Sequence, residues 1–311
     1  MRDKRVVITG GAGFIGSNLV EELATSNDVI IIDDLSTGRK ENIVDLIQKG
    51  NVNFVQGNIL DLCLLEQTFK GIDFVFHQVA LPSVTRSVED PFSTNQVNIT
   101  GTLNVLLAAR KNNVKKVVYA SSSSVYGDTP TLPKTEDMVP NPQSPYALTK
   151  LTGEYYCRIF QRIYDLPTIC LRYFNVYGPR QNVNASYAAV IPIFIDRVSQ
   201  DKPPSICGDG EQTRDFTFVK DVIKANIIGA ESDTSGVFNI GRGENSTLNE
   251  LAKTIIHLMG KDLQAEYQPP RLGDIKHSLA DISRARAIGY EPQYSLDSGL
   301  RETIKRLSSA G

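Results

Sequence analysis

The 311-residue chain is poor in the residues that build metal centres and disulfide frameworks, with four cysteines and three histidines. Cys63, Cys157, Cys170 and Cys207 show no paired or CxxC spacing, so they read as buried free thiols of a reducing compartment. His77, His257 and His277 form no HExxH or other ligand cluster, which argues against a metal. No run approaches the ~18 apolar residues of a membrane span. The basic start MRDKRVVITGG holds only the apolar run VVI, too short for a signal-peptide core. Neither sign of charge dominates: 33 Lys and Arg against 35 Asp and Glu leave a net −2. That balance leaves no basic footprint for nucleic acid or an anionic membrane. These absences predict a cytoplasmic globular protein without metal, nucleic-acid or membrane partner. Its length suits about two domains of roughly 150 residues each.

What is present is an alternation. Short β-branched runs (RVVITG, VIIID, VNFVQG, DFVFHQVA, KKVVYASS) alternate with segments of helical periodicity, among them FIGSNLVEELA, RKENIVDLIQKG, LDLCLLEQTF and one long helix around TNQVNITGTLNVLLAARKNN. Such an order predicts βαβ units and an α/β fold: a doubly wound parallel sheet with helices on both faces. The uninterrupted apolar run VIII suits a strand covered on both sides. After about residue 175 prolines and glycines break the pattern, although TLNELAKTIIHL reads as an amphipathic helix with Thr247 and Glu250 at capping-box spacing. The expected division is a dinucleotide-binding domain over 1–175, with a returning segment near 212–240. A smaller mixed α/β domain takes 176–211 and 241–311.

Four constellations carry chemistry. Gly10, Gly13 and Gly16 in ITGGAGFIG stand between the first strand and the first helix, where glycines let the backbone turn and approach a pyrophosphate on the helix N-terminus. Asp33 closes the next strand, placed to accept from adenosine ribose hydroxyls and to repel a 2′-phosphate, which favours NAD; its neighbour Asp34 reads as a loop cap. Tyr146 and Lys150 lie one helical turn apart on one face. One positive charge at ~4 Å and an effective dielectric of ~20 is worth about 4 kcal/mol, or up to roughly three pKa units. Lys150 and an oxidised nicotinamide together would bring a tyrosine from its usual value near ~10 toward neutrality as a base. The serine run Ser121–Ser124 ends a strand, where α/β sheets bind ligands. Finally Arg180, Arg214 and Arg271 offer guanidinium groups for a diphosphate. Asp90, Glu136, Asp137 and Glu231 read as solvated or capping.

In this order and spacing, TGGAGFIGSNLV, IDDLSTG, VNITGTLNVL, YASSSSVYGD, PYALTK, LRYFNVYGPRQ, GDGEQTRDF and RLGDIKHSLADISRA resemble the extended short-chain dehydrogenase/reductases that act on nucleotide sugars, across essentially the whole chain. The likeness is greatest to UDP-hexose 4-epimerases, particularly those acting on UDP-N-acetylglucosamine. It implies a Rossmann-type NAD domain, a UDP-sugar substrate and a homodimer formed through the helix before KKVVYASS and the helix bearing Tyr146. By the resemblance Tyr146 is the catalytic base, Lys150 its partner, and Ser122 the hydroxyl on the reacting 4-oxygen. NAD contacts are expected from Gly10, Gly13, Phe14, Ile15 and Gly16, and from Asp33, Ser36, Thr37 and Gly38. Asn58, Ile59, Gln78, Ala80 and Tyr173 complete them with Tyr146 and Lys150. Relatives usually carry Asp where Asn58 stands. Substrate contacts are expected from Ser83, Ser122, Ser123 and Tyr146, and from Asn175, Val190 and Arg180. Arg214, Arg271, Asp274 and Ser278 complete that set. Pro82 stands where some hexose epimerases carry Lys.

The resemblance also separates relatives. A 4,6-dehydratase would carry an Asp-Glu pair at Ser123–Ser124, and a UDP-glucuronate decarboxylase a Glu at Ser124. UDP-glucuronate 4-epimerases share a serine-rich loop and stand as the alternative reading. Ser278 occupies the position that gates space around C2 of the sugar; its small side chain implies room for an N-acetyl group, hence UDP-GlcNAc/UDP-GalNAc with UDP-Glc/UDP-Gal as further substrates.

Overall fold

The computed structural model describes residues 1–182, 189–270 and 276–308. Among them, seven parallel strands form one sheet: β1 (Arg5–Thr9), β2 (Asp28–Asp33), β3 (Val52–Gln56), β4 (Phe74–His77), β5 (Lys116–Ser122), β6 (Thr168–Tyr173) and β7 (Gly236–Ile240). Their order is β7-β6-β5-β4-β1-β2-β3, so the fold is the doubly wound α/β sheet that the alternation predicts. Helices cover both faces, and the apolar side chains form two core clusters. One is built around Ile8, Val118 and Leu171, the other around Val7, Val75 and Val117. Successive strand residues point to opposite faces, which is why Val7 and Ile8 fall in different clusters.

Five helices matter to the site: α1 (Phe14–Leu23), α2 (Gly101–Lys111), α3 (Pro145–Tyr164), α4 (Val219–Glu231) and α5 (Leu248–Leu258). Helix α3 starts where Ser144 accepts from the Ala147 amide at 3.1 Å with Pro145 in the first turn, and stops at Asp165 in the left-handed region at φ 51°. It buries Ala147, Lys150, Leu151, Gly153, Glu154, Cys157 and Phe160. Gly153 is required there: a Cβ would lie 2.2 Å from the Tyr119 hydroxyl of β5. The capping box of α5 forms, with Glu250 N donating to Thr247 Oγ1 at 3.0 Å and Thr247 N to Glu250 Oε2 at 2.9 Å.

Three sequence expectations change. The long helix around 94–113 is interrupted: a short helix Pro91–Asn95 passes through a π turn, Gln96–Thr100, before α2 begins. The segment around RKENIVDLIQKG shrinks to a 3₁₀ turn, Lys40–Asn42, and the short helix Val44–Ile47; Ile43 and Leu46 are buried and Ile47 packs partly exposed against the core. Of the cysteines only Cys157 and Cys170 are buried; Cys63 is exposed. Beyond residue 175, small strand pairs join Val176–Tyr177 to Thr217–Phe218, Thr213–Arg214 to Ser246–Thr247 and Ser205–Cys207 to Glu266–Gln268. Among the described residues no helix is long and apolar enough to cross a membrane.

Candidate active site

The strand order reverses between β1 and β4, and a cleft of about 750 Å³ opens at their carboxyl ends. This is where α/β sheets bind ligands, at a volume usual for small-molecule sites. Its floor is the glycine turn. Gly10 has φ 75°, and its amide donates to Ile32 O at 2.8 Å while its carbonyl accepts from Gly13 N at 3.1 Å. A Cβ on Gly16 would stand 2.0 Å from Gly10 O, so only hydrogen lets α1 begin this close to the turn. The result is a backbone cradle at a helix N-terminus, the environment a pyrophosphate requires. Asp33 ends β2 in the same cleft, 6% exposed, accepting from Ala12 N at 3.0 Å and Leu35 N at 2.9 Å. Burial pushes its carboxyl upward against those two bonds. Asp34 is the loop cap expected of it: it accepts from Ser36 N at 2.9 Å, and its other oxygen accepts from Asn58 Nδ2 at 2.7 Å. Phe14, Ile15, Ser36, Thr37, Asn58, Ile59, Gln78 and Ala80 also line this cleft. Gly38 instead packs on Asp33, where a Cβ would meet Oδ1 at 2.6 Å.

A second pocket of about 520 Å³ adjoins the first, and Phe14, Ile15 and Pro82 line both. Its walls bring together Ser121–Ser124, Tyr146, Tyr173, Asn175, Arg214 and Ser278. The Ser122 side chain stands beside the Tyr146 hydroxyl and favours its ionised form, and Ser122 Oγ accepts from Ser124 N at 3.2 Å. Ser124 Oγ is buried and has no hydrogen-bond partner among the described residues. Asn175, at φ 32°, donates through Nδ2 to Asp215 O at 3.1 Å. Ser278 N donates to Thr213 O at 3.1 Å, which sets Ser278 beside Arg214. Two charges of the site are displaced in opposite senses by the same cause. Burial raises the Tyr146 hydroxyl, with the Ser122 side chain working against it, and lowers Lys150 to about 7. Lys150 Nζ donates to Ala120 O at 2.7 Å and lines neither cavity.

Other expected residues sit elsewhere. Arg180 and Ser83 line the dinucleotide cleft and not the serine pocket. Arg180 pairs with Glu21 at 2.9 Å, and Ser83 caps a short helix by accepting from Arg86 N at 3.0 Å. Tyr173 lies on the serine side, and Val190 lines neither cavity although Ala189 does. Arg271 and Asp274 lie outside the described residues. Glu136, expected at the surface, is enclosed and accepts from Asn239 N at 2.7 Å; Asp137 pairs with Arg284 at 2.8 Å. Sequence reasoning missed Asn98. From the π turn its Oδ1 accepts from Leu81 N at 2.8 Å and its Nδ2 donates to Thr149 Oγ1 at 3.0 Å; the Thr149 hydroxyl in turn donates to Tyr146 O at 2.7 Å. A buried asparagine in an otherwise apolar helical run, VNITGTLNV, was the available signal.

A glycine cradle, a carboxylate at the end of β2 and a tyrosine–serine pair in the adjoining pocket form one constellation, and residues 6–241 match the model of the NAD dependent epimerase/dehydratase family. The chain belongs to this family. It is an NAD-dependent enzyme, and its nearer relatives are epimerases. A UDP-glucose 4-epimerase of Mycolicibacterium smegmatis is 41% identical over 307 residues, 97% of each chain. The solved UDP-N-acetylglucosamine 4-epimerase from Methanobrevibacter ruminantium M1, in complex with UDP-N-acetylmuramic acid, superposes with a TM-score of 0.97 at 45% identity over 100% of both chains. The UDP-glucose 4-epimerase of Thermotoga maritima with UDP-glucose gives 0.93 at 38% identity, over 98% of this chain and 99% of that one.

Proposed function

We propose that the protein interconverts UDP-sugars at C4, with UDP-GlcNAc and UDP-GalNAc as substrates and UDP-Glc and UDP-Gal as further ones. The observation that carries this reading is the placing of Tyr146 with the serines Ser122–Ser124 in one pocket whose lining is shared with the dinucleotide cleft. Bound NAD supplies a hydride acceptor and donor at C4. Tyr146 takes the proton of the 4-hydroxyl and returns it, Ser122 holds the 4-oxygen, and Ser123 contacts the sugar. Lys150 supplies positive charge behind the tyrosine. Asn175, Arg214, Arg271 and Asp274 hold the UDP end, so the 4-keto sugar turns over about a fixed diphosphate. Serines at 123 and 124 offer neither the acid–base pair of an elimination nor the carboxylate of a decarboxylase. Ser278, small and in the pocket wall, leaves room for an N-acetyl group.

The reading includes the division into a dinucleotide-binding and a smaller sugar-binding domain, a cytoplasmic location and a homodimer. Leu148, Tyr155, Ile159 and Ile163 support the dimer: they recur at helical spacing along α3 and are 53, 44, 44 and 63% exposed. The test is to incubate purified protein with UDP-GlcNAc without added NAD and follow the anomeric protons by NMR. Approach to a mixture with UDP-GalNAc is expected. No conversion even with NAD added, together with conversion of UDP-glucuronate, would replace this reading by the uronate epimerase.

A further inference from the structure

Three consecutive residues of β5 are fastened to α3. Ala120 O accepts from Lys150 Nζ at 2.7 Å, the Ser121 hydroxyl donates to Glu154 Oε1, and Ser122 stands beside Tyr146 in the pocket wall. Tyr146, Lys150 and Glu154 succeed one another at four-residue intervals on one helical face, so the three rungs form one ladder. The middle rung is an ion pair. Glu154, its side chain 4% exposed, accepts from Arg172 Nε at 2.8 Å and Nη2 at 2.7 Å; Arg172, 3% exposed, stands opposite Ser121 on β6. Arg172 in turn lies 4.7 Å from the ring centroid of Tyr126, whose hydroxyl donates to Asn239 Oδ1 at 2.7 Å. The ladder therefore continues beneath the Ser123–Tyr126 turn.

A buried ion pair is a poor way to gain stability, because apolar residues of the same volume do as well or better. Nothing in the proposed chemistry uses Glu154 or Arg172. We propose that Glu154, clamped by Arg172, is a positioning residue for the catalytic pair, holding the serine strand in register with α3 and setting a buried carboxylate beside the Lys150 ammonium. The proposal rests on the reading of Tyr146 as the base. The other titratable groups around the carboxylate are Tyr119 on β5, Cys157 on α3, Cys170 on β6 and, beyond Lys150, His77 on β4. Burial keeps Tyr119 and His77 uncharged at neutral pH. The hydrogen bond with Cys157, together with burial, does the same for Cys170. The charges of the cluster are Lys150, Glu154 and Arg172, and Glu154 acts against the burial that draws the Lys150 proton away.

The decisive variant is Glu154→Gln combined with Arg172→Met, which removes both charges together. NAD-loaded protein is compared with wild type for thermal midpoint, kcat and KM against pH, and near-ultraviolet tyrosinate absorbance relative to Tyr146→Phe. We expect an unchanged midpoint, KM within about threefold and kcat at neutral pH at least ~10-fold lower. The acid limb of kcat and the tyrosinate titration should both move up by about one pH unit. A titration and a kcat profile that coincide with wild type would overturn the proposal. Ser121→Ala supplies a second test should the double variant not fold: it keeps the ion pair and removes one hydroxyl. A severalfold fall in kcat at constant KM supports the ladder, whereas an unchanged kcat breaks it. Because the tyrosinate titration needs no substrate, it tests the proposal even if UDP-sugars are not turned over.

Discussion

His77 ends β4 beneath the dinucleotide cleft, 1% exposed between Thr9 of β1 and Thr102 of α2. The Thr102 hydroxyl donates to Asn98 O at 2.6 Å, so toward the imidazole it can only accept, from Nε2–H at 2.9 Å. Nδ1 then accepts from the Thr9 hydroxyl at 2.7 Å, and the network assigns a neutral Nε2–H tautomer. Burial, with the Lys150 charge adding to it, lowers the imidazole from its ordinary 6.5 to about 3. The folded state therefore disfavours the proton that the unfolded chain takes up readily. Stability is fully present above 6.5 and is lost as pH falls from there toward 3. Between pH 7.5 and 4.5 the unfolded imidazole gains almost a full proton and the folded one almost none, which costs about 2.7 kcal/mol at ~1.36 kcal/mol per unit. The perturbation is His77→Gln, which can accept from Thr9 and donate to Thr102 without titrating. Urea unfolding at a series of pH values should give a wild-type curve that falls more steeply toward acid, the two converging by about 2 to 3 kcal/mol over that window. Aspartates and glutamates contribute equally to both proteins and cancel. Parallel curves would refute the reasoning, whatever the offset between them.

Gly16→Ala places a methyl 2.0 Å from Gly10 O, a backbone atom that cannot swing aside. The helix must move, at about 1–3 kcal/mol or more, and NAD recovered per protein chain, read by absorbance after denaturation, should fall toward zero. Tyr146→Phe removes the hydroxyl beside Ser122 and should lower kcat by ~10² or more while UDP affinity by calorimetry stays within about threefold. Wild-type turnover in that variant would dismiss Tyr146 as the base. Ser278→Tyr fills the pocket wall beside Arg214. The ratio of kcat/KM for UDP-GlcNAc over UDP-Glc should drop by roughly 10- to 200-fold, and a ratio unmoved by the bulk would show that the acetamido group lies elsewhere.

The elements that read correctly from the chain are those whose pattern and local chemistry agree. The run VIII of β2 is covered on both faces because an all-parallel sheet leaves no solvent face. Glycines 10, 13 and 16 are specified by close approaches that a strand–turn–helix imposes within a few residues, and Tyr146 and Lys150 need only a helix. What stayed hidden depends on partners distant in sequence. The apolar period runs unbroken through 94–113, so nothing marks the π turn except the polar Asn98, whose partners Leu81 and Thr149 come from two other segments. Arg180 looks like a phosphate ligand in isolation, yet its carboxylate partner Glu21 lies 159 residues away on α1. Glu136 has a surface composition around it and is drawn inward by an amide of β7. The same holds for Glu154, an ordinary helical glutamate one turn past the Tyr–Lys pair until β6 supplies Arg172.

The two cavities hold their contents by different means, and the proposed chemistry needs that difference. In the dinucleotide cleft the recognising groups are backbone atoms of a turn in which even a methyl is excluded, together with a carboxylate already fixed by two amides. Such a site has little freedom left to lose, which favours retention of the cofactor through many turnovers. In the serine pocket the lining offers short hydroxyls, of which Ser124 Oγ has no partner among the described residues to surrender. A sugar held by hydroxyls alone can leave one set of bonds and form an equivalent set on turning over. The burial that makes the site dry also raises Tyr146 and lowers Lys150, so the protein by itself does not ionise the tyrosine. Ionisation must be completed by charge arriving in the adjoining cleft, through the shared wall of Phe14, Ile15 and Pro82. Tyr146 would then ionise most readily while the neighbouring cofactor is oxidised, and would hold a proton most tightly once it is reduced. The same pair can thus take the 4-hydroxyl proton in the first half-reaction and release it in the second.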